Sequence, residues 1–173
     1  THVLQHNPND KSSIPSNVVL SLLSTKDGVW IGTVNRGLSY YNFASRQISR
    51  FSKRDGLASD AIYGLLMDDR GMIWASGGKG LSLMDPRTHS FKLFDSTHGL
   101  QSSDFNSGAY AKLGDGSLLF GGNNGFNAFY PEKVKLNGFV PPVHITSFKL
   151  FNEKIQILPG QRIQLDFDDT VLG

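Results

Sequence analysis

Trp30-Ile31-Gly32-Thr33-Val34-Asn35-Arg36-Gly37-Leu38 is the stretch on which the reading of this chain turns. Aromatic and β-branched residues suit a pleated, half-buried strand. Asn-Arg-Gly then supplies a tight turn whose glycine is free to take positive φ. Upstream, Val18 to Ser24 reads as an apolar strand and Lys26-Asp27-Gly28 as the turn that leads into Val29 to Thr33. Downstream, Leu38 to Phe43 and Gln47 to Phe51, joined at Ser45-Arg46, complete a set of four short strands. No segment of the chain carries helical periodicity.

The same set recurs. Ile14-Pro15-Ser16-Asn17 is repeated as Leu57-Ala58-Ser59-Asp60 and again as Leu100-Gln101-Ser102-Ser103, the apolar anchors falling 43 residues apart each time. Asp27-Gly28, Arg70-Gly71 and Asp115-Gly116 precede the second strand, and Arg36-Gly37-Leu38, Lys79-Gly80-Leu81 and Asn124-Gly125-Phe126 follow it. The second copy predicts strands over Ala61 to Met67, Ile73 to Ser76, Leu81 to Met84 and Phe91 to Phe94. The third predicts Tyr110 to Leu113, Ser117 to Phe120 and Phe126 to Tyr130, and breaks at Pro131. A four-stranded unit of about 40 to 50 residues in tandem is the pattern of a β-propeller blade. Such a sheet hides its two faces only by stacking on neighbours, so Trp30, Trp74 and Leu119 are expected in the layers between blades. The expected fold is all-β: a partial propeller of about three blades, either a piece of a larger ring, which is the favoured reading, or one whose copies assemble to complete the ring.

Composition agrees and narrows the function. The chain has 173 residues with 19 glycines, 12 phenylalanines and no cysteine, and its net charge is +2. Short strands joined by tight turns fit that glycine and aromatic content. Without cysteine there is no disulfide or thiolate chemistry. The scattered Lys and Arg form no run that could track a phosphate backbone, so no nucleic-acid partner is expected. No stretch approaches the roughly 18 apolar residues of a membrane span, and Thr1-His2-Val3-Leu4 does not open like a signal peptide.

These motifs resemble the two-component regulator propeller repeat, in which Asp-Gly, Trp-Ile-Gly-Thr, two variable residues and Gly-Gly-Leu follow one another. Trp30 to Leu38 fits with Arg36 replacing one glycine. Trp74-Ala75-Ser76-Gly77-Gly78-Lys79-Gly80-Leu81 is one residue shorter, and Leu119 to Phe126 lacks the tryptophan. Asn127-Ala128-Phe129-Tyr130-Pro131, followed by Pro141-Pro142-Val143-His144-Ile145-Thr146-Ser147-Phe148, resembles the passage into a triple-tyrosine domain, a small immunoglobulin-like β-sandwich. The expected organisation is residues 1–13 as the end of a preceding blade or a linker, blades at 14–56, 57–99 and 100–138, and the truncated start of the sandwich at 139–173. The resemblance implies a non-catalytic periplasmic sensor region of an inner-membrane signalling protein, with histidine kinase, hybrid kinase or diguanylate cyclase output. It implies a homodimer, a small-molecule or oligosaccharide ligand, and membrane attachment only through segments outside this sequence. A polysaccharide-acting propeller enzyme and a protein-interaction scaffold are the alternatives.

No catalytic, metal or cofactor-binding residue is expected. His2, His6, His89, His98 and His144 form no ligand pattern with one another or with a carboxylate cluster. Asp68-Asp69-Arg70-Gly71 occupies a repeat turn, which predicts a turn role for those carboxylates. The group Asp166, Asp168 and Asp169 lacks the spacing of a calcium loop. Ser76-Gly77-Gly78-Lys79-Gly80 lacks the first glycine and the hydroxyl residue of a phosphate loop. The candidate ligand contacts are Asn35, Arg36, Lys79, Asn123 and Asn124, polar residues recurring at one hairpin. Tyr40, Tyr41, Tyr63 and Tyr110 could stack on sugar rings, but most are expected to be strand residues packing between blades.

Overall fold

The computed structural model describes residues 3–10, 12–134, 148–150 and 153–155. The chain divides into two units, Thr1–Lys135 and Leu136–Gly173. The first unit holds three antiparallel sheets. Strands β1 (Val19–Ser24), β2 (Gly28–Thr33), β3 (Leu38–Asn42) and β4 (Ile48–Phe51) form the first sheet in chain order. Strands β5 (Ile62–Met67), β6 (Ile73–Gly77), β7 (Gly80–Asp85) and β8 (Ser90–Phe94) repeat that order in the second. The third contains β9 (Phe105–Lys112), β10 (Leu118–Gly122) and β11 (Gly125–Phe129), with β10 in the middle.

The first strands of successive sheets gather together. Ser21 Oγ on β1 donates to the carbonyl of Ile62 on β5 at 3.4 Å. On β5, Gly64 lies so near β9 that a Cβ there would be 2.4 Å from the Tyr110 ring. The first strands therefore form the hub and the fourth strands the outer edge. Sheets meeting edge-first at an axis, face against face, are blades of a propeller.

Registers show which positions are equivalent. Trp30 lies between Leu23 and Tyr40, Trp74 between Leu66 and Leu83, and Leu119 between Ala111 and Ala128. Side chains alternate across a strand, so each middle strand serves two neighbours. Trp30 faces forward into a layer shared with Leu57, Ile62, Leu65, Ile73, Ala75 and Met84 of the next blade. Trp74 faces forward into the next layer, with Phe105, Leu118 and Phe120. The expectation for both tryptophans is met. Leu119 takes the same forward direction but is half-buried, because no described blade covers that face.

The layers are aromatic: Trp30 packs at a tilt against Tyr40 and Phe51, with ring centroids 4.7 and 5.9 Å away, and Trp74 packs against Phe129 and Phe94, at 4.9 and 5.4 Å. Burying one large apolar side chain contributes about 1.5–3 kcal/mol, against about 0.5–1.5 kcal/mol for a hydrogen bond. Stacking between blades is therefore the main stabilising term.

Two details depart from the sequence reading. Thr25, Asp68 and Leu113 donate their N–H groups to Gly28, Met72 and Ser117, which makes those three acceptors equivalent. The first blade thus turns on two residues, Lys26-Asp27, and the others on three. Gly71 and Gly116 take positive φ, while Gly28 is a strand residue paired with Asn42. Strand β9 also starts at Phe105, well before Tyr110: its register shifts between Phe120 and Gly122, and Gly108 turns the backbone at φ 78°. A bulge absorbs the extra residues.

Blades are joined through short 3-10 turns. Ser52 caps the turn Lys53–Asp55 and Asp95 caps Ser96–His98, each in a reciprocal capping box, and Gly56 and Gly99 close them in the left-handed conformation. In the second unit, Phe148–Leu150 and Glu153–Ile155 pair as an antiparallel hairpin. The remainder of the expected immunoglobulin-like start lies outside the described residues, as do Asp166, Asp168 and Asp169.

Candidate functional site

The β2–β3, β6–β7 and β10–β11 hairpins occupy the same end of the three blades, where the segments linking one blade to the next also pass. The N–H of Gly37 donates to the carbonyl of Asp60 in the following link at 2.7 Å, and Gly80 repeats this with Ser103 at 2.6 Å. Both glycines take positive φ, at 76° and 102°. A Cβ on either would strike the carbonyl of Phe51 or Phe94. This is why a glycine closes each hairpin: only glycine lets its N–H reach across to the next blade here.

All five sequence candidates sit on these tips and are exposed. Asn35 and Arg36 crown the first hairpin, braced from below by buried Thr33, whose hydroxyl accepts the Arg36 N–H at 3.2 Å and donates to the Gly37 carbonyl at 3.0 Å. Lys79 crowns the second and borders a groove of about 360 Å³ with Ala58, Leu93, Phe94, Asp95 and Ser103. Asn124 is tied into its own blade, its N–H and side-chain amide donating to Gln101 at 2.9 and 3.1 Å. Neither Arg36 nor Lys79 has an ion-pair partner among the described residues. The rim thus offers two cationic donors and several amides to a polyhydroxylated or anionic ligand, on a scaffold held by inter-blade hydrogen bonds.

Sequence reasoning did not single out the serines and asparagine beneath this rim. Ser82 Oγ accepts the N–H of Ala58 at 2.9 Å, and Asn127 Oδ1, at the equivalent place, accepts that of Gln101 at 2.8 Å. In the first blade the position is Ser39, and the residue equivalent to Ala58 is Pro15. Proline has no N–H to give, and Ser39 Oγ is buried without a partner among the described residues. The signal was present in the sequence as polar residues recurring just after Leu38, Leu81 and Phe126.

At the opposite end Asp68 has the structural role expected of its turn. Its carboxylate is almost fully buried and accepts from the Arg70 side chain at 2.8 Å, the N–H groups of Arg70 and Met72 at 3.0 Å each, and Trp74 Nε1 at 3.2 Å. Burial pushes its pKa up, but the hydrogen bonds from Arg70, Met72 and Trp74 outweigh it and hold the acid below its ordinary value. Asp69 pairs with Lys112 of the third blade at 2.6 Å. Among the histidines, His6 bonds the carbonyl of Ile14, His98 pairs with Asp95, and His89 packs by Phe51. His2 and His144 lie outside the described residues. Tyr40 and Tyr110 pack between blades, as expected.

Stacked four-stranded blades around a common hub define a β-propeller protein. Residues 13–35, which run from the first link through strand β2, match the family model of the two component regulator propeller. A histidine kinase of Formosa agariphila is 28% identical over 111 residues, which is 64% of this chain and 8% of that protein. Two solved structures share the fold, both extracellular domains of hybrid two-component systems from B. thetaiotaomicron. One has TM-score 0.60 at 22% identity, covering 73% of this chain and 17% of the other. The second has TM-score 0.51 at 19% identity, covering 90% and 28%. This chain spans only a small part of each of these relatives.

Proposed function

We propose that this chain is part of the extracytoplasmic sensor region of a membrane-bound bacterial signalling protein of the two-component type, and that it binds a ligand without transforming it. One observation carries the reading: residues 13–35 match the two component regulator propeller, and a histidine kinase shares 28% identity over 111 residues. In this proposal a small molecule or oligosaccharide engages the hairpin rim through Asn35, Arg36, Lys79, Asn123 and Asn124. Binding favours one packing of the propeller against the domain that follows it in a periplasmic homodimer, which alters the spacing of the two exits toward the inner membrane.

Thermal shift of the complete ectodomain against a panel of oligosaccharides tests it. A ligand at a hundred times its Kd stabilises the folded state by about 2.7 kcal/mol. The double variant Arg36→Ala, Lys79→Ala should abolish that shift and leave the ligand-free midpoint in place. No shift with any saccharide, together with no ligand dependence of dimer geometry, would overturn the proposal.

A further inference from the structure

We infer that the cleft between the first two blades, at the end away from the hairpin rim, is a binding site for a small aromatic carboxylate. This is a second site, independent of the sensor reading above. The cleft has a volume of about 240 Å³ and is walled by Trp30, Tyr40, Phe51, Pro86 and His89, with Met67 and Ile73 below and the hydroxyls of Thr25 and Ser49 at its edges. Flat aromatic and prolyl walls favour a ring, and the few polar groups among them orient it.

The comparison between repeats supplies the other half of the ligand, its carboxylate. Trp30 and Trp74 hold the same register position, opposite Leu23 and Leu66. In the second blade the indole N–H is satisfied by the Asp68 carboxylate at 3.2 Å. The residue equivalent to Asp68 in the first blade is Thr25, as the shared turn hydrogen bonds from Thr25 and Asp68 establish. The Thr25 hydroxyl is turned elsewhere, donating to the Gly28 carbonyl at 3.1 Å with Tyr40 Oη at 3.5 Å. The indole N–H of Trp30 has no acceptor among the described residues, and an indole nitrogen can only donate. The second layer also gains an inter-blade ring, Phe129, 4.9 Å from Trp74, where the first has Met84. The first layer has its own ring instead, Tyr40, 4.7 Å from Trp30 where the second blade has Leu83; what it lacks is the carboxylate that the second supplies from the chain itself. An aromatic carboxylate completes it: the ring lies between the aromatic and prolyl walls, and the carboxylate accepts the Trp30 indole N–H.

Phenylacetate is a suitable probe, titrated against the 173-residue chain and followed by tryptophan emission, since Trp30 and Trp74 are the only two tryptophans. Saturable change below about 10 mM is expected, a millimolar Kd being the scale for so small a ligand, and acetate at the same concentrations should give none. Thr25→Asp places a carboxylate beside the indole, and Ser49→Phe fills the cleft from an exposed edge-strand position. Each should weaken phenylacetate at least tenfold while circular dichroism shows an unchanged fold. Trp74→Phe should keep the response if it folds, and proton saturation transfer from the protein to phenylacetate reads binding without any tryptophan change. No saturable response by either method, or equal binding to wild type and Ser49→Phe, would overturn the site.

Discussion

Asp68 is where a single carboxylate does most for this fold. It closes a turn, anchors Arg70 and orients Trp74 in the layer between blades. Removing it leaves buried donors unpaired, so Asp68→Ala should cost about 2–4 kcal/mol in denaturant unfolding. Because the folded pKa is depressed, the unfolded chain takes up the proton first. The contribution is complete above the ordinary aspartate value of about 3.9 and is lost as pH falls through the lower folded value. Acid titrations of wild type and Asp68→Ala should therefore converge as the pH drops below about 4. The serine pair makes a sharper contrast. Ser82→Ala removes the partner of the Ala58 N–H and should cost about 1–2 kcal/mol. The same change at Ser39, whose hydroxyl faces the proline-bearing link, should be neutral or stabilising by up to about 1 kcal/mol. Equal losses at both sites would show that Ser39 has a partner after all.

At the scale of the hairpin, the closing glycine is the informative residue. In Gly80→Ala the new Cβ meets the Phe94 carbonyl at 2.0 Å and the strained backbone withdraws the N–H from Ser103. The loss should be about 3 kcal/mol or more. Gly125 has the same left-handed backbone, at φ 94°, but open space around it, so Gly125→Ala should cost only the conformational part, about 1–2 kcal/mol. These elements were legible in the sequence because period-2 strands and turn glycines leave local marks: ten of the eleven strands of the first unit begin within one residue of where periodicity places them. The eleventh, β9, was not, since residues 106–109 bulge between the Phe105–Gly122 and Tyr110–Phe120 pairs, and where that pairing falls is decided by β10 and not by their own pattern. Turn length misled for a similar reason. Gly28 and Gly71 share spacing, but hydrogen bonding equates Gly28 with Met72. The rim candidates were visible because polar residues recur at one hairpin. The Trp30 cleft was not, because it arises from Thr25 standing where the next copy has aspartate, a difference that has meaning only once the two turns are superimposed.

For the molecule as a whole, the two ends of the stack carry the argument about its context. Leu22 and Leu65 are the same position in successive blades, each on the face turned back along the chain, yet Leu22 is 61% exposed and Leu65 1%. Facing forward, Leu38 and Leu81 are fully buried at 0% while their counterpart Phe126 is 65% exposed. Each described blade thus presents the same apolar surface, and only the inner layers have it covered. Apolar sheet faces left open in this way are ordinarily buried by a partner. Under the proposed sensor reading, further blades of the array cover them. In the 173-residue chain Leu22→Glu and Phe126→Asp should then shift stability by no more than about 0.5 kcal/mol, as exposed substitutions do. Leu65→Glu and Leu81→Asp bury an unpaired charge and should cost more than about 4 kcal/mol, enough to unfold a small domain. Repeating the four substitutions in a protein extended on both sides by its natural sequence should raise the cost of the first pair toward that of the second. If Leu22→Glu and Phe126→Asp stay harmless in the extended protein, the blades do not stack into a continuous propeller, and a rim built from successive hairpins loses its basis with them.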